Sequence, residues 1–197
     1  MGGTKVVAGV YGPGDLYPRF LQKSGKALLR CYYDMMSFSV TDRKRPGPGR
    51  RETELGLVIK NALEPFLLLE NFPKAGIKLF MEIYQADAGT RCASINAASL
   101  ALADAGIPMR DLVSSVAAGT AGDAVILDLN KKEEDHKDGA TDIPIAMSVR
   151  TGDISLFQLD GAISKKDLQK AMEFAKKGCK EVYDLQKKAL AEKYGVD

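Results

Sequence analysis

Apolar residues recur along the chain with two periods. Ile77, Leu79, Met81 and Ile83 alternate with Lys78, Phe80, Glu82 and Tyr84, which predicts a half-buried strand. Residues 4–11 and 26–34, rich in Val, Leu, Cys and Tyr, read as two more strands. Gly12-Pro13-Gly14-Asp15 lies between them as a turn signal. Residues 112–118 and 124–129 predict a hairpin turned at Ala121-Gly122-Asp123, and 143–149 with 154–159 predict a second pair turned at Thr151-Gly152-Asp153. A spacing of three and four marks the helices. Leu55, Val58, Ile59, Ala62, Leu63 and Phe66 form one stripe, with Pro65 bending or ending it. The small-residue run 92–105 places Ile95, Ala98, Ala101 and Leu102 on one side, which predicts a helix packed closely on a sheet and ending near Gly106 and Pro108. Ser164 is placed to cap the amide of Asp167 and start a last helix, striped by Leu168, Met172, Ala175, Cys179, Val182, Leu185 and Ala189. This order of elements predicts an α+β fold with helices stacked on a mostly antiparallel sheet. No linker or short repeat interrupts it, so residues 1–197 read as a single domain, long enough for a real core.

Composition narrows the class. Hydrophobic residues make up 45% and charged residues 27%, as in ordinary globular proteins. No apolar run is long enough to cross a membrane, and no basic-then-apolar leader opens the chain, so a cytoplasmic protein is expected. Cys31, Cys92 and Cys179 are odd in number and far apart, which favours reduced thiols over a disulfide framework or a zinc site. His136 is the only histidine, which argues against chemistry that needs a histidine pair. The net charge of +2 is unremarkable, but Arg43, Lys44, Arg45, Arg50 and Arg51 crowd together with no acid between Asp42 and Glu52. A local basic patch of this kind can bind a polyanion even on a nearly neutral chain.

Three stretches could carry chemistry. Gly89-Thr90-Arg91 sits between a predicted strand and a predicted helix. Glycine there lets the backbone approach an anion, the first helix amides point outward, and Arg91 offers a planar fork to phosphate oxygens. The same turn also fits an ordinary Thr90 N-cap beside a solvated arginine. Arg50-Arg51 close a Pro/Gly loop over 41–51 and start a helix; they fit phosphate contacts, or a solvated loop pairing with Glu52 and Glu54. The acidic loop holds Glu133, Glu134, Asp135, His136, Asp138 and Asp142 and reads first as a solvated charge run. Asp142, beside Ile143-Pro144 at the start of a strand, is better fixed than the others and is the stronger candidate for an acid or a metal ligand.

Several segments together are more specific than any one. They are Lys44-Arg45-Pro46-Gly47-Pro48-Gly49-Arg50-Arg51-Glu52, Gln85-Ala86-Asp87-Ala88-Gly89-Thr90-Arg91, the run 98–111, Val125-Ile126-Leu127-Asp128-Leu129-Asn130, and Asp142-Ile143-Pro144-Ile145-Ala146. In order and spacing, over nearly the whole chain, they resemble the RNase PH family, and most of all its catalytic subunits in the archaeal exosome. The resemblance implies an RNase PH-like fold and a phosphorolytic 3′→5′ exoribonuclease, in which inorganic phosphate attacks the last phosphodiester of RNA and releases a nucleoside diphosphate. By matched position, Arg51, Gly89, Thr90 and Arg91 resemble the phosphate site, and Arg50 and Arg19 resemble RNA-backbone contacts. Asp135 resembles the general acid, with Glu134 the alternative because the loop is slightly longer than in the relatives. Asp142 resembles the second carboxylate, which in related enzymes can hold magnesium with Asp135. The implied partners are RNA 3′ ends, a related non-catalytic subunit alternating in a hexameric ring, and RNA-binding cap proteins. The relatives carry a further segment before the strand matching Thr4–Tyr11, so an exposed strand edge and apolar surface are expected here. A non-catalytic RNA-binding scaffold and a hydrolytic metal-dependent nuclease are the competing readings.

Overall fold

The computed structural model describes residues 2–122, 124–134, 136 and 139–195. Three strands form the first sheet: β1 (Lys5–Asp15), β2 (Leu28–Met35) and β3 (Ala75–Gln85). β3 lies in the centre, antiparallel to β1 and parallel to β2. The alternation in β3 sends Ile77, Leu79, Met81 and Ile83 fully inside. They pack with residues of two helices, α1 (Arg50–Leu63) and α2 (Thr90–Asp104), among them Leu55, Ile59, Ile95 and Leu102. On the outer face Phe80 stacks on Tyr32 at 4.8 Å and meets Tyr11 edge-on at 5.5 Å. β1 is an edge strand, and Val7 and Tyr11 on it are more than half exposed.

The predicted turn at 12–15 is not a turn. β1 runs through Gly12-Pro13 to Asp15, and the register with β3 breaks between Tyr11 and Gly14. Gly12 takes a φ of 110°, and a Cβ on it would sit 2.5 Å from the Gly76 carbonyl oxygen, so glycine here permits a bulge against β3. Pairing with a strand more than sixty residues away outweighs the local turn signal.

α1 begins where the Pro/Gly loop ends. Gly49 is its N-cap, and the Gly49 amide donates to the Glu52 carboxylate at 2.8 Å. That carboxylate is buried and ion-paired with Lys44, so the far side of the loop is tied to the helix start that carries Arg50 and Arg51. The helix ends at Leu63 and tightens into a 3-10 turn at Glu64–Phe66 containing Pro65, as the sequence predicts.

The second sheet is antiparallel throughout. Its strands are β4 (Val113–Ala121), β5 (Ala124–Leu127), β6 (Ala140–Ser148) and β7 (Ile154–Phe157), in the order β5-β4-β6-β7. A single helical turn, α3 (Lys131–Glu134), lies between β5 and β6. The long C-terminal helix α4 (Lys165–Tyr194) is capped by Ser164, whose hydroxyl accepts from the Asp167 amide at 3.1 Å. Ala171, Ala175 and Cys179 of α4 close a second core over Val116, Ala118, Ile143 and Ile145. The acidic loop is shorter than its composition implies. β6 begins at Ala140, so Asp142 lies inside a strand, not at its start. Its backbone is held on both sides, opposite Gly119 of β4 and in a two-way bridge to Asp160 at 2.9 Å.

α2 joins the two sheets. β5 pairs only with Ala118–Ala121, which leaves one side of the first half of β4 without a strand. Side chains of α2 fill the gap. The Asn96 amide group donates to the Ser115 carbonyl and accepts from the Ser115 amide, both at 2.7 Å, and the Ser99 hydroxyl accepts from the Val113 amide at 2.9 Å. Gln186 of α4 completes the buried network, donating to the carbonyls of Asn96 and Val113 at 3.2 Å and accepting from Ser114 at 2.9 Å. Removing Asn96 strands two buried backbone groups. Asn96→Ala is therefore expected to lower unfolding stability by about 2–4 kcal/mol, read as a drop in the urea midpoint; an unchanged midpoint would show that water replaces the amide at no cost.

Candidate functional site

The turn before α2 is built for close approach to an anion. Ala88 and Gly89 both adopt φ of 56°, and Gly89, not Thr90, is the N-cap. A glycine cap has no side chain to accept from the first helix amides, so these donors face the cleft, where the helix dipole favours negative charge. Thr4 braces the turn: its hydroxyl accepts from the Asp87 amide at 2.9 Å and donates to the Ala88 carbonyl at 2.6 Å.

A cleft of about 760 Å³ opens in front of this turn. Arg51 reaches it from the second residue of α1, Gly89, Thr90 and Arg91 from the α2 start, Asp142 from β6, and Lys131 and Glu134 from α3. Six of the residues singled out from sequence, Arg51, Gly89, Thr90, Arg91, Glu134 and Asp142, therefore share one cavity. Arg50 and Arg19 are exposed and do not line it; Arg19 sits on a 3-10 turn at Arg19–Leu21. Asp135 lies outside the described residues.

Two partners not foreseen from the sequence hold the α2 start. Arg91 donates through Nη1 to Oε1 of Gln158, just past β7, at 2.5 Å. The Tyr33 hydroxyl donates to Thr90 Oγ1 at 2.9 Å in a buried contact. Neither pair has a local signature, because 67 and 57 residues separate the partners. Glu52 was visible in principle, as a glutamate three residues after a helix cap.

The electrostatics are unequal. Burial pushes the Asp142 carboxyl above the usual carboxylate range, Arg91 pulls it back, and Asp160 adds to the rise. Asp142 Oδ1 is buried without a hydrogen-bond partner among the described residues. Cys92, on the cleft wall, has its thiol pushed up to about 12 by burial and is no nucleophile at neutral pH.

Comparison with known proteins accords with this architecture. Residues 1–108 match the model of the 3′ exoribonuclease family, domain 1, and residues 111–178 match domain 2 of the same family. The chain is 52% identical over 193 residues to the exosome complex component Rrp41 of Pyrococcus abyssi, covering 98% of this chain and 77% of that protein. It is 50% identical over 197 residues to Rrp41 of Methanopyrus kandleri, covering all of this chain and 82% of that protein. Among solved structures, rice Rrp46 superposes with a TM-score of 0.82 at 25% identity, over 96% of this chain and 84% of that one.

The raised Asp142 pKa fixes the sign of a pH effect. A folded-state pKa above the unfolded value means that the folded protein binds the proton more tightly. Its stabilising contribution is fully present below the unfolded value, about 4, and is lost as pH rises through the folded value. In magnesium-free and phosphate-free buffer, Asp142→Asn is expected to melt above the wild type at neutral pH, with the gap closing below about pH 4. Melting curves across pH check this; a gap independent of pH would remove Asp142 as its source.

Proposed function

The chain belongs to the 3′ exoribonuclease family, and from that premise we propose that it is the catalytic RNase PH-like subunit of an exosome ring, shortening RNA from its 3′ end with inorganic phosphate. The observation that carries the reading is the convergence of Arg51, Thr90 and Arg91 on the side-chain-free cap of α2, in one cleft with Asp142. A phosphate oxygen attacks the phosphorus of the last phosphodiester, the bond from phosphorus to the 3′ oxygen breaks, and the terminal residue leaves as a nucleoside diphosphate. The reverse reaction adds nucleotides to the 3′ end. Two anions have to meet, so the main requirement is fixed positive charge and oriented amides, which lower their repulsion most where water is scarce. Phosphate is already a nucleophile at neutral pH, so a histidine base is not needed.

In this reading Arg51, Gly89, Thr90 and Arg91 hold the attacking phosphate, and Arg50 and Arg19 guide the RNA backbone toward the cleft. The departing 3′ oxygen takes a proton from Asp135, or from Glu134 as the extra loop residue allows. The donor set at Asp142 also suits magnesium, a hard cation commonly held by one or two carboxylates with substrate phosphates and water. Asp142 Oδ1, buried without a protein partner among the described residues, would be one such ligand and Asp135 a second. A bound magnesium would offset phosphate charge; the chain's own residues position the reactants and supply the proton.

The ring would alternate this chain with a related non-catalytic subunit, carry RNA-binding cap proteins, and work in the cytoplasm. Among the described residues no helix is long and apolar enough to cross a membrane. A scaffold without activity would have no use for arginine, threonine and carboxylate gathered in one cleft.

The decisive measurement is the product released from a 3′ oligoadenylate by the chain assembled with its ring partner. ADP is expected with phosphate present and none without it, whereas AMP would establish hydrolysis. Arg91→Ala is expected to lower kcat/KM for phosphate by about 10²–10³-fold. The isolated chain is expected to be weakly active, so full activity without the partner would contradict the ring assignment.

A further inference from the structure

Thr90 is the one residue of the phosphate cluster whose polar group is a rotor, and the structure shows what stops it. Its hydroxyl carries one donor and two acceptor sites, and the proton could point in several directions. Tyr33, inward-facing on β2 and only 3% exposed, stands directly behind it. The two oxygens are 2.9 Å apart. A phenol is the more acidic of the two hydroxyls, so the phenol donates and Thr90 Oγ1 accepts. That contact occupies the rear of Oγ1. No acceptor among the described residues takes the Thr90 proton: Ser94 contacts the Thr90 carbonyl, at 2.8 Å, and not the side chain. Thr90 lines the cleft, whereas Tyr33 does not.

We propose that Tyr33 is a positioning residue of the phosphate site, its buried hydroxyl orienting Thr90 so that the threonine proton points into the cleft toward a phosphate oxygen. The inference rests on the reading of Thr90 as a phosphate ligand. Tyr33 itself touches no substrate and acts only through Thr90. The arrangement is durable because the ring of Tyr33 belongs to the core that also contains Leu55, Ile59 and Met81. Burial holds the phenol above its usual pKa, against the hydrogen bond with Thr90 and the pull of Arg51 and Arg91, so it stays a donor at working pH. A phenylalanine would fill the same space without the hydroxyl, leaving Thr90 free to rotate among donor geometries.

The test is a double-mutant cycle of Tyr33→Phe and Thr90→Val in the assembled ring, with inorganic phosphate varied at saturating oligoadenylate. Tyr33→Phe is expected to raise KM for phosphate about 3–10-fold, the scale of one misdirected hydrogen bond to a charged group, with kcat and the KM for RNA within about twofold. In the Thr90→Val background the same substitution is expected to change nothing further, since its effect passes through the lost hydroxyl. A phosphate-induced shift in melting temperature of the isolated chain, weakened by Tyr33→Phe, gives a readout independent of turnover. If Tyr33→Phe leaves the phosphate KM unchanged, or adds its full effect on top of Thr90→Val, the inference is overturned while phosphorolysis stands. If the wild-type ring degrades RNA without regard to phosphate, the reading of the site falls and this inference with it.

Discussion

A buried strand edge must find partners for its amides and carbonyls, and here the edge belongs to β4. β5 is too short to cover it, so α2 presents an asparagine where a strand would otherwise lie. The two 2.7 Å bonds between Asn96 and Ser115 substitute a side-chain amide for a rung of sheet. The placing of the α2 side of the cleft follows from that substitution. With α2 tied to β4 through Asn96 and Ser99, its N-terminus emerges level with Asp142 on the neighbouring β6, and Arg91 comes within reach of Gln158. Gln186 of α4 reaches the same junction, so helix, strand and C-terminal helix share one buried hydrogen-bond network.

The cleft that results combines charges unequally. Its cationic side is assembled from two separate helix starts: Arg51 near the beginning of α1, and Thr90 with Arg91 at the beginning of α2. Each start is held by polar contacts behind it, Glu52 with Lys44 for the first and Thr4 for the second. The anionic side is a carboxylate that burial disfavours in its charged form.

Much of this was legible in the chain. The alternation through β3 and the stripe of α1 needed only periodicity, because each buries one face against a partner that the pattern itself demands. Gly89 and Arg91 were legible as a strand-to-helix turn, although the cap fell on Gly89 and not on Thr90, a one-residue difference that leaves the helix amides free of a side-chain acceptor. The bulge at Gly12 and the placement of Asp142 within β6 were not legible, since both are set by pairing with distant strands: Gly76 in one case, Gly119 and Asp160 in the other. Tyr33 and Gln158 were silent for the same reason. A tyrosine in a strand reads as core, and only the fold shows that its hydroxyl ends on Thr90.

The contact between Arg91 and Gln158 crosses from the stretch matching the first family domain, residues 1–108, to the stretch matching the second, residues 111–178. Asp142 likewise faces the α2 start from the second stretch. A cut in the two residues between these stretches would part Arg91 from Gln158 and Asp142 from the start of α2, so neither half alone would keep the cleft.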